Sequence, residues 1–158
     1  MIKIMFVCHG NICRSPMAEI VCRELLAQRG LSSHVTLSSS ATSTEEIWNG
    51  IGNPIYPPAR EELLRHGHAI DDAKRAVQLQ KSDYEAYDLF IGMDQNNIRN
   101  MRRIFGGDPK NKITLLMDYT GRGGEVADPW YSRRFDITYL DILDGCHGLM
   151  SYLEKMKP

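Results

Sequence analysis

The chain has 158 residues and a formal net charge of −1, and 42% of its residues are hydrophobic, 8% aromatic and 25% charged. These values are typical of a single globular domain, which we expect to span residues 1–158. The near-zero charge gives no reason to expect nucleic acid as a partner, and no apolar run is long enough for a membrane span or a secretory signal. We therefore expect a cytoplasmic protein without membrane insertion.

The first two predicted elements flank a loop of unusual composition. Residues 2–7 form a short apolar run that ends at a turn, which predicts a buried strand. A helix should begin near Ser15, a favoured N-cap, with Pro16 in the first helical position. The apolar face of this helix consists of Ala18, Val21, Cys22, Leu25 and Leu26. Its position on that face favours Cys22 as a core residue.

The remaining sequence continues the alternation of strands and helices. The predicted elements are a strand over 35–40, a loop over 45–58, a helix from Pro58 or Ala59 to Gly67, a strand over 88–93, a helix capped by Asp94, a strand over 113–117 and a final helix through Leu153. Gly145 and Gly148 are unfavourable inside that last helix. The alternation predicts an α/β fold with a parallel sheet covered by helices on both faces. Ligands of such folds bind at the carboxyl ends of the strands, where the loop after the first strand lies.

That loop, from Cys8 to Pro16, carries the strongest functional signal. Gly10 allows tight wrapping of the backbone, so that successive N–H groups can converge at the N-terminus of the following helix. Such a nest of donors binds a tetrahedral oxyanion, and we expect inorganic phosphate or sulfate as the site anion. The predicted phosphate-binding loop consists of His9, Gly10, Asn11, Ile12, Cys13, Arg14 and Ser15.

Two side chains of this loop suit chemistry on phosphorus. A helix N-terminus and a nearby cation favour the thiolate form of Cys8, which is the nucleophilic form. The planar guanidinium of Arg14 can hold two phosphoryl oxygens at once. Ser15 can donate a hydrogen bond to the sulfur, or it can cap the helix, and both roles stay open. Asn11 can fix the loop through side-chain-to-backbone bonds, or it can be an ordinary turn residue.

A cysteinyl-phosphate mechanism also needs an acid to protonate the leaving oxygen, and Asp128 is the candidate. Pro129 keeps Asp128 out of helical geometry, and the aromatic residues Trp130 and Tyr131 follow. A turn without a catalytic role is the alternative for this Asp-Pro pair.

The cysteines predict neither a disulfide framework nor a metal site. Cys8, Cys13, Cys22 and Cys146 contain no C-x-x-C pair, and no histidine lies at ligand spacing from them. A long chain without an export signal favours reduced thiols. We expect no metal and no cofactor.

The loop Val7–Pro16 and the Asp128-Pro129 pair resemble the two motifs of the low-molecular-weight protein tyrosine phosphatase family, and the resemblance spans essentially the whole chain. It implies one domain with a four-stranded parallel twisted sheet of strand order 2-1-3-4. It also implies hydrolysis of phosphotyrosine, in a protein or a small aryl phosphate, through a cysteinyl-phosphate intermediate. Cys8 would be the nucleophile, Arg14 the transition-state clamp, and Asp128 first an acid and then a base.

The resemblance implies supporting roles as well. Ser15 would assist the thiolate, and Asn11 would order the loop. Cys13 would be a redox partner, because the family's second loop cysteine forms a reversible disulfide that protects the nucleophile from irreversible oxidation. Ser39 falls about where the family has a serine that bonds the loop asparagine.

Two segments depart from the family pattern. Relatives usually carry His-x-Ala-Arg where this chain has Lys74–Val77, so a histidine that supports the loop asparagine in some members is absent. Residues 45–58 form a longer loop than usual, and in the family this loop forms a wall of the substrate cleft. We expect Trp48, Trp130 and Tyr131 to be wall residues of a deep cleft that favours phosphotyrosine over phosphoserine. Core packing is the alternative for Trp130.

Other functions are less compatible with the sequence. Thioredoxin-coupled arsenate reductases share the fold and the loop, but they need further cysteines near the third strand. This chain has none between Cys22 and Cys146. A non-catalytic module that binds phosphate or regulates by redox chemistry would not need Cys8, Arg14 and Asp128 together, although a redox role can coexist with catalysis.

Overall fold

A four-stranded parallel sheet lies at the centre of this computed structural model, which describes residues 1–156. The strands in spatial order are β2 (Val35–Ala41), β1 (Ile2–Cys8), β5 (Leu89–Gly92) and β6 (Ile113–Leu115). The remaining two strands, β3 (Ile47–Trp48) and β4 (Ile51–Gly52), form a separate antiparallel hairpin. Because this hairpin takes two of the strand numbers, the observed order is the predicted order 2-1-3-4, and the predicted fold class is confirmed.

Helices cover both faces of the sheet. They are α1 (Arg14–Gln28), α2 (Pro57–Arg65), α3 (Asp83–Ala86), α4 (Gln95–Phe105), α5 (Pro129–Ser132) and α6 (Phe135–Met156), and a 3-10 turn spans Leu116–Tyr119. Side chains alternate along β1, so that Ile4 and Phe6 pack in the core beneath α1 and α6. Met5 and Val7 pack on the opposite face, with α3 and α4.

Three local predictions need correction. Helix α1 begins at Arg14 and has no side-chain cap, so the prediction of Ser15 as the N-cap is wrong. In the loop, the left-handed residue is Asn11, with φ 57°, rather than Gly10. Space at Gly10 is limited, since a Cβ there would lie 3.1 Å from Cγ of Glu46, and the Glu46 side chain would have to shift slightly. The predicted loop 45–58 contains the β3–β4 hairpin, and positive φ angles of 54° and 79° at Asn49 and Gly50 allow its two-residue turn.

The two glycines of α6 do not interrupt the helix. A Cβ on Gly148 would lie 2.0 Å from the carbonyl oxygen of Tyr119, and one on Gly145 would lie 2.5 Å from Cγ of Leu116. Helix α6 therefore packs against the 3-10 turn at a distance that only glycine permits.

The strand ends bring the candidate site together. Parallel strands point their carboxyl ends to one edge of the sheet, where β1 ends at Cys8 and β5 ends shortly before Asp94. Asp94 caps α4 as predicted: its carboxylate accepts from the Asn97 backbone at 2.9 Å, and the Asn97 side chain accepts from the Asp94 backbone at 3.1 Å. Within residues 1–156, no helix has the length and apolarity that a bilayer crossing requires.

Candidate active site

Cys8 lies at the floor of a cleft, directly beneath the first turn of α1. Its side chain is 3% exposed. The Ser15 hydroxyl oxygen lies 3.0 Å from the Cys8 sulfur, and the Ser15 backbone N–H donates to the same sulfur at 3.4 Å. The sulfur therefore faces the positive end of a helix, where a thiolate is stabilised.

Arg14 supplies a fixed cation next to that sulfur. One guanidinium nitrogen donates to Asp94 at 2.7 Å and to the carbonyl oxygen of Val126 at 2.8 Å. Burial alone would lower the pKa of Arg14, but the charges of Cys8, Asp94 and Asp128 raise it above its ordinary value. The guanidinium is therefore held in one orientation and stays charged.

Asp128 faces the same cleft from the opposite side. It caps the short helix α5 through a bond from the Trp130 backbone at 3.0 Å, and Pro129 occupies the first position of that helix. Its other carboxylate oxygen lies 3.6 Å from the second terminal nitrogen of Arg14. The structure thus brings Cys8, Arg14 and Asp128 to one cleft of about 350 Å³.

Aromatic side chains form the walls of this cleft. Of the three predicted wall residues, Trp130 and Tyr131 line it. Trp130 is 56% exposed, so core packing does not describe it. Trp48 is not among the lining residues and is 85% exposed at the hairpin tip, which contradicts its assignment to the wall. Trp48 pairs with Ile51 across the hairpin, and both side chains are exposed.

Sequence analysis missed several lining residues. Tyr56 and Phe135 complete the aromatic wall, and the rings of Tyr56 and Trp130 are 5.5 Å apart between centroids. Tyr56 could have been predicted as a wall residue from the sequence, because it directly precedes the Pro-Pro pair that starts α2. Glu45 and Glu46 make the opposite rim acidic, and Glu45 lies 3.0 Å from Nε2 of His9, which also lines the cleft.

A buried polar network supports the loop from behind. Asn11 is 1% exposed, and its amide nitrogen donates to the Ser15 hydroxyl at 2.8 Å. Its carbonyl oxygen accepts from Lys74 Nζ at 2.8 Å and from the Val77 backbone at 3.0 Å. The Ser15 hydroxyl therefore contacts the sulfur and does not cap the helix, and the Asn11 side chain joins the loop to Lys74 and Val77.

Ser39 is not part of this network. Its hydroxyl donates to Glu19 at 2.5 Å rather than bonding Asn11, whose oxygen already accepts from Lys74 and Val77. The prediction of Ser39 as a support for the loop asparagine is therefore wrong.

Cys13 lines the cleft beside Cys8, and both are free thiols. Burial, together with the negative charges of Cys8 and Asp128, raises the pKa of the Cys13 thiol, and Arg14 opposes this only in part. Cys13 therefore stays protonated at neutral pH. In residues 1–156, no group of three or more His, Cys, Asp or Glu side chains is arranged to hold a metal ion.

A sulfur at a helix N-terminus, a fixed guanidinium and a carboxyl group around one cleft suit the chemistry of phosphate esters, and the class of protein that this fold and site indicate is a phosphatase. The sequence comparisons narrow this class to one family. The family model "Low molecular weight phosphotyrosine protein phosphatase" matches residues 3–158, and the chain belongs to that family.

Individual relatives agree with this assignment. The chain is 36% identical to the low molecular weight protein-tyrosine-phosphatase YfkJ of Bacillus subtilis, with 99% of each chain covered. It is 36% identical to the low molecular weight phosphotyrosine protein phosphatase of Sus scrofa, over 98% of this chain and 96% of that one. The crystal structure of YfkJ superposes with a TM-score of 0.92, covering 100% and 98% of the two chains at 35% identity. A structure of YwlE from Bacillus subtilis, which is named an arginine phosphatase, has a TM-score of 0.81 at 26% identity, covering 98% of this chain and 99% of that one.

Proposed function

We propose that this protein hydrolyses phosphotyrosine monoesters, in phosphoproteins or as small aryl phosphates, through a cysteinyl-phosphate intermediate. The single observation that carries the proposal is the convergence of Cys8, Arg14 and Asp128 on one cleft. The reduced cytoplasm suits such an enzyme, since it keeps a thiol nucleophile available and all four cysteines are free.

The first chemical step forms a sulfur–phosphorus bond. The phosphoryl group enters the loop, and Arg14 holds two of its oxygens while the Cys8 thiolate attacks phosphorus in line. The bond from phosphorus to the ester oxygen breaks, and Asp128 transfers its proton to that oxygen, so that a neutral phenol leaves. Arg14 and the loop amides stabilise the charge that develops on the phosphoryl oxygens.

The second step reverses the role of Asp128. Its carboxylate takes a proton from a water molecule, whose oxygen attacks the cysteinyl phosphate. The sulfur–phosphorus bond breaks, inorganic phosphate leaves, and the sulfur departs as a thiolate. Ser15 stabilises that thiolate at 3.0 Å.

The cleft walls support the choice of phosphotyrosine. The cleft that contains Cys8 is also lined by four aromatic residues, Tyr56, Trp130, Tyr131 and Phe135. A phenyl ring carries its phosphate further from the peptide backbone than a serine side chain does, and aromatic walls contact that ring favourably. Phosphoserine would leave this wall without a partner.

Arsenate reduction by a disulfide relay is disfavoured on structural grounds. Such a relay needs cysteines that can reach the nucleophile and then the surface. Cys13 lines the cleft beside Cys8, but Cys22 and Cys146 are both 0% exposed, within the core between α1 and α6, so neither can carry the disulfide on to the surface.

Steady-state assays on a series of aryl phosphates test the proposal. Cys8→Ser should abolish turnover of p-nitrophenyl phosphate and phosphotyrosine while circular dichroism stays unchanged. Asp128→Ala should lower turnover by about 10²-fold or more for phenols that are poor leaving groups, and much less for p-nitrophenol. Asp144→Ala, an exposed carboxylate on α6, is the matched control.

Three outcomes would contradict the proposal. Turnover by Cys8→Ser would show that Cys8 is not the nucleophile. An equal loss of turnover for all leaving groups in Asp128→Ala would show that Asp128 is not the acid. Phosphoarginine, phosphoserine and arsenate belong in the same assay, because a preference for any of them over phosphotyrosine would reassign the substrate.

A further inference from the structure

We propose that Lys74 is a positioning residue: together with the Val77 backbone N–H it sets the direction of the hydrogen-bond chain that ends at Cys8, and its charge stabilises the thiolate. This inference deepens the proposed function and rests on it. It assigns a role to the segment Lys74–Val77, where the sequence departs from the family pattern.

The orientation of the Asn11 amide follows from its partners. Lys74 Nζ lies 2.8 Å from the Asn11 side-chain oxygen, and the Val77 backbone N–H donates to the same oxygen at 3.0 Å. Both groups are donors, so the atom that faces them has to be the oxygen of the amide. The amide nitrogen consequently faces the Ser15 hydroxyl, at 2.8 Å.

The direction of the Ser15 proton follows in turn. The Ser15 oxygen accepts an N–H from Asn11, so its own hydrogen points to the remaining neighbour, the Cys8 sulfur at 3.0 Å. Every bond in the chain from Lys74 through Asn11 and Ser15 to Cys8 thus donates towards the sulfur. Bonds aligned in this way polarise one another, and the final donor favours the thiolate over the thiol.

The surroundings of Lys74 leave its ammonium group directed at this chain. It is half-buried, and its other bond is to the Arg75 carbonyl oxygen at 2.8 Å. Glu19, which faces it from α1, is held by Arg23 at 2.8 Å and by Ser39 at 2.5 Å.

The remaining charges near Lys74 act in both directions. Burial lowers the pKa of Lys74, and the negative charges of Glu19 and Cys8 oppose that effect. Asp71 and Arg23 line the small groove on its outer side. The sulfur and the ammonium group therefore stabilise each other's charged forms in a partly desolvated region, where charges interact strongly.

The test measures ionisation of Cys8 without requiring turnover. The rate of Cys8 alkylation by iodoacetamide, followed by peptide mass spectrometry to separate it from Cys13, gives a pH midpoint for the thiolate. Iodoacetamide is neutral, so a charge change at position 74 does not alter its attraction to the site. We expect Lys74→Met to raise the midpoint by about half a pH unit or more, which is about a threefold loss of thiolate at a fixed lower pH.

Two further variants separate charge from structure. Lys74→Arg keeps a charged donor and should stay within about 0.2 pH units of the wild type. Lys74→Gln keeps a donor without charge and should follow Lys74→Met. If Lys74→Met fails to fold, the difference in midpoint between Lys74→Arg and Lys74→Gln still tests the role of the charge. The exposed Lys81→Met is the matched control and should change nothing.

Turnover provides a second readout. Because the thiolate is the leaving group of the second step, Lys74→Met should lower kcat for p-nitrophenyl phosphate about threefold or more, with a smaller change in KM. An unchanged midpoint in Lys74→Met, or an equal shift in Lys74→Arg, would overturn the inference. If the wild type hydrolyses no phosphate ester, the proposed function is wrong. The alkylation profile would still test the effect of Lys74 on the ionisation of Cys8, because it does not require turnover.

Discussion

At the amino end of β6, the turn of residues 108–113 closes around its own carboxylate, whereas the loop after β1, at the carboxyl end of the sheet, lines an open cleft. Asp108 accepts from the Tyr84 hydroxyl at 2.6 Å, and from the Lys112 and Ile113 backbones at 2.8 Å and 3.1 Å. Burial acts to raise the pKa of Asp108, but these hydrogen bonds lower it below its ordinary value. The anion of this turn is part of the chain and serves the fold.

The Cys8 loop has no acidic residue between Cys8 and Pro16, so the chain itself places no carboxylate within that loop. Its cation, Arg14, is fixed on one side by Asp94 and Val126 and faces the cleft on the other. A turn rich in hydrogen-bond donors therefore stabilises the fold when the chain itself provides the anion. It can bind a ligand when the chain provides none.

The largest effect on activity should come from Arg14→Lys, which alters the Cys8 loop. An ammonium group cannot hold Asp94, the Val126 carbonyl and two phosphoryl oxygens at once, because it lacks the planar fork of donors. We expect kcat/KM for p-nitrophenyl phosphate to fall by about 10²- to 10³-fold. Arg122→Lys, which alters a surface ion pair with Asp141, is the control. A loss below tenfold would show that the site needs only a positive charge.

An intermediate effect should follow from Asp108→Asn, which alters the turn of residues 108–113. We expect the free energy of unfolding at neutral pH to fall by about 1–2 kcal/mol, because the turn loses hydrogen bonds to a charged acceptor. Since the pKa of Asp108 is lowered in the folded state, its contribution is present above the ordinary Asp range and is lost as pH falls through the folded value.

Urea unfolding at a series of pH values, combined with activity assays, checks this prediction. The stability difference between the wild type and Asp108→Asn should vanish in acid, and kcat at neutral pH should not change. The exposed Asp72→Asn should cost less than about 0.5 kcal/mol. A fall in kcat for Asp108→Asn at full folding would mean that the two ends of the sheet are coupled.

The smallest effect should come from Trp48→Ala, which tests whether Trp48 belongs to the cleft around Cys8. The Trp48 side chain is 85% exposed and does not line the cleft, so kcat/KM for small aryl phosphates should change less than about twofold. Trp130→Ala, in the aromatic wall, should lower it more. A tenfold loss in Trp48→Ala would return this residue to the substrate cleft.

The fold and the convergence of Cys8, Arg14 and Asp128 were predictable because their signals are local. A strand, a turn and a helix start lie within the first 28 residues, and an Asp-Pro pair marks the second loop. Asp94 was recognisable as a cap for the same reason.

Long-range partners were not predictable. The bond between Lys74 and Asn11 joins residues 63 positions apart, and Ser39 was assigned by position before its bond to Glu19 could be known. The exposure of Trp48 follows from its place in a hairpin of two-residue strands, which are too short for a periodic pattern to reveal. Gly148 was unfavourable by propensity, and only its contact with Tyr119 explains it.

The bond from Arg14 to the Val126 carbonyl has a consequence for the timing of catalysis. Val126 lies two residues before Asp128, so the Arg14 side chain, the proposed clamp of the phosphoryl group, also bonds the segment that carries the proposed acid. In the proposed mechanism, an ester that engages the guanidinium would meet an acid whose segment is tied to the same side chain. Recognition of the phosphate and protonation of the departing phenol would then depend on one residue.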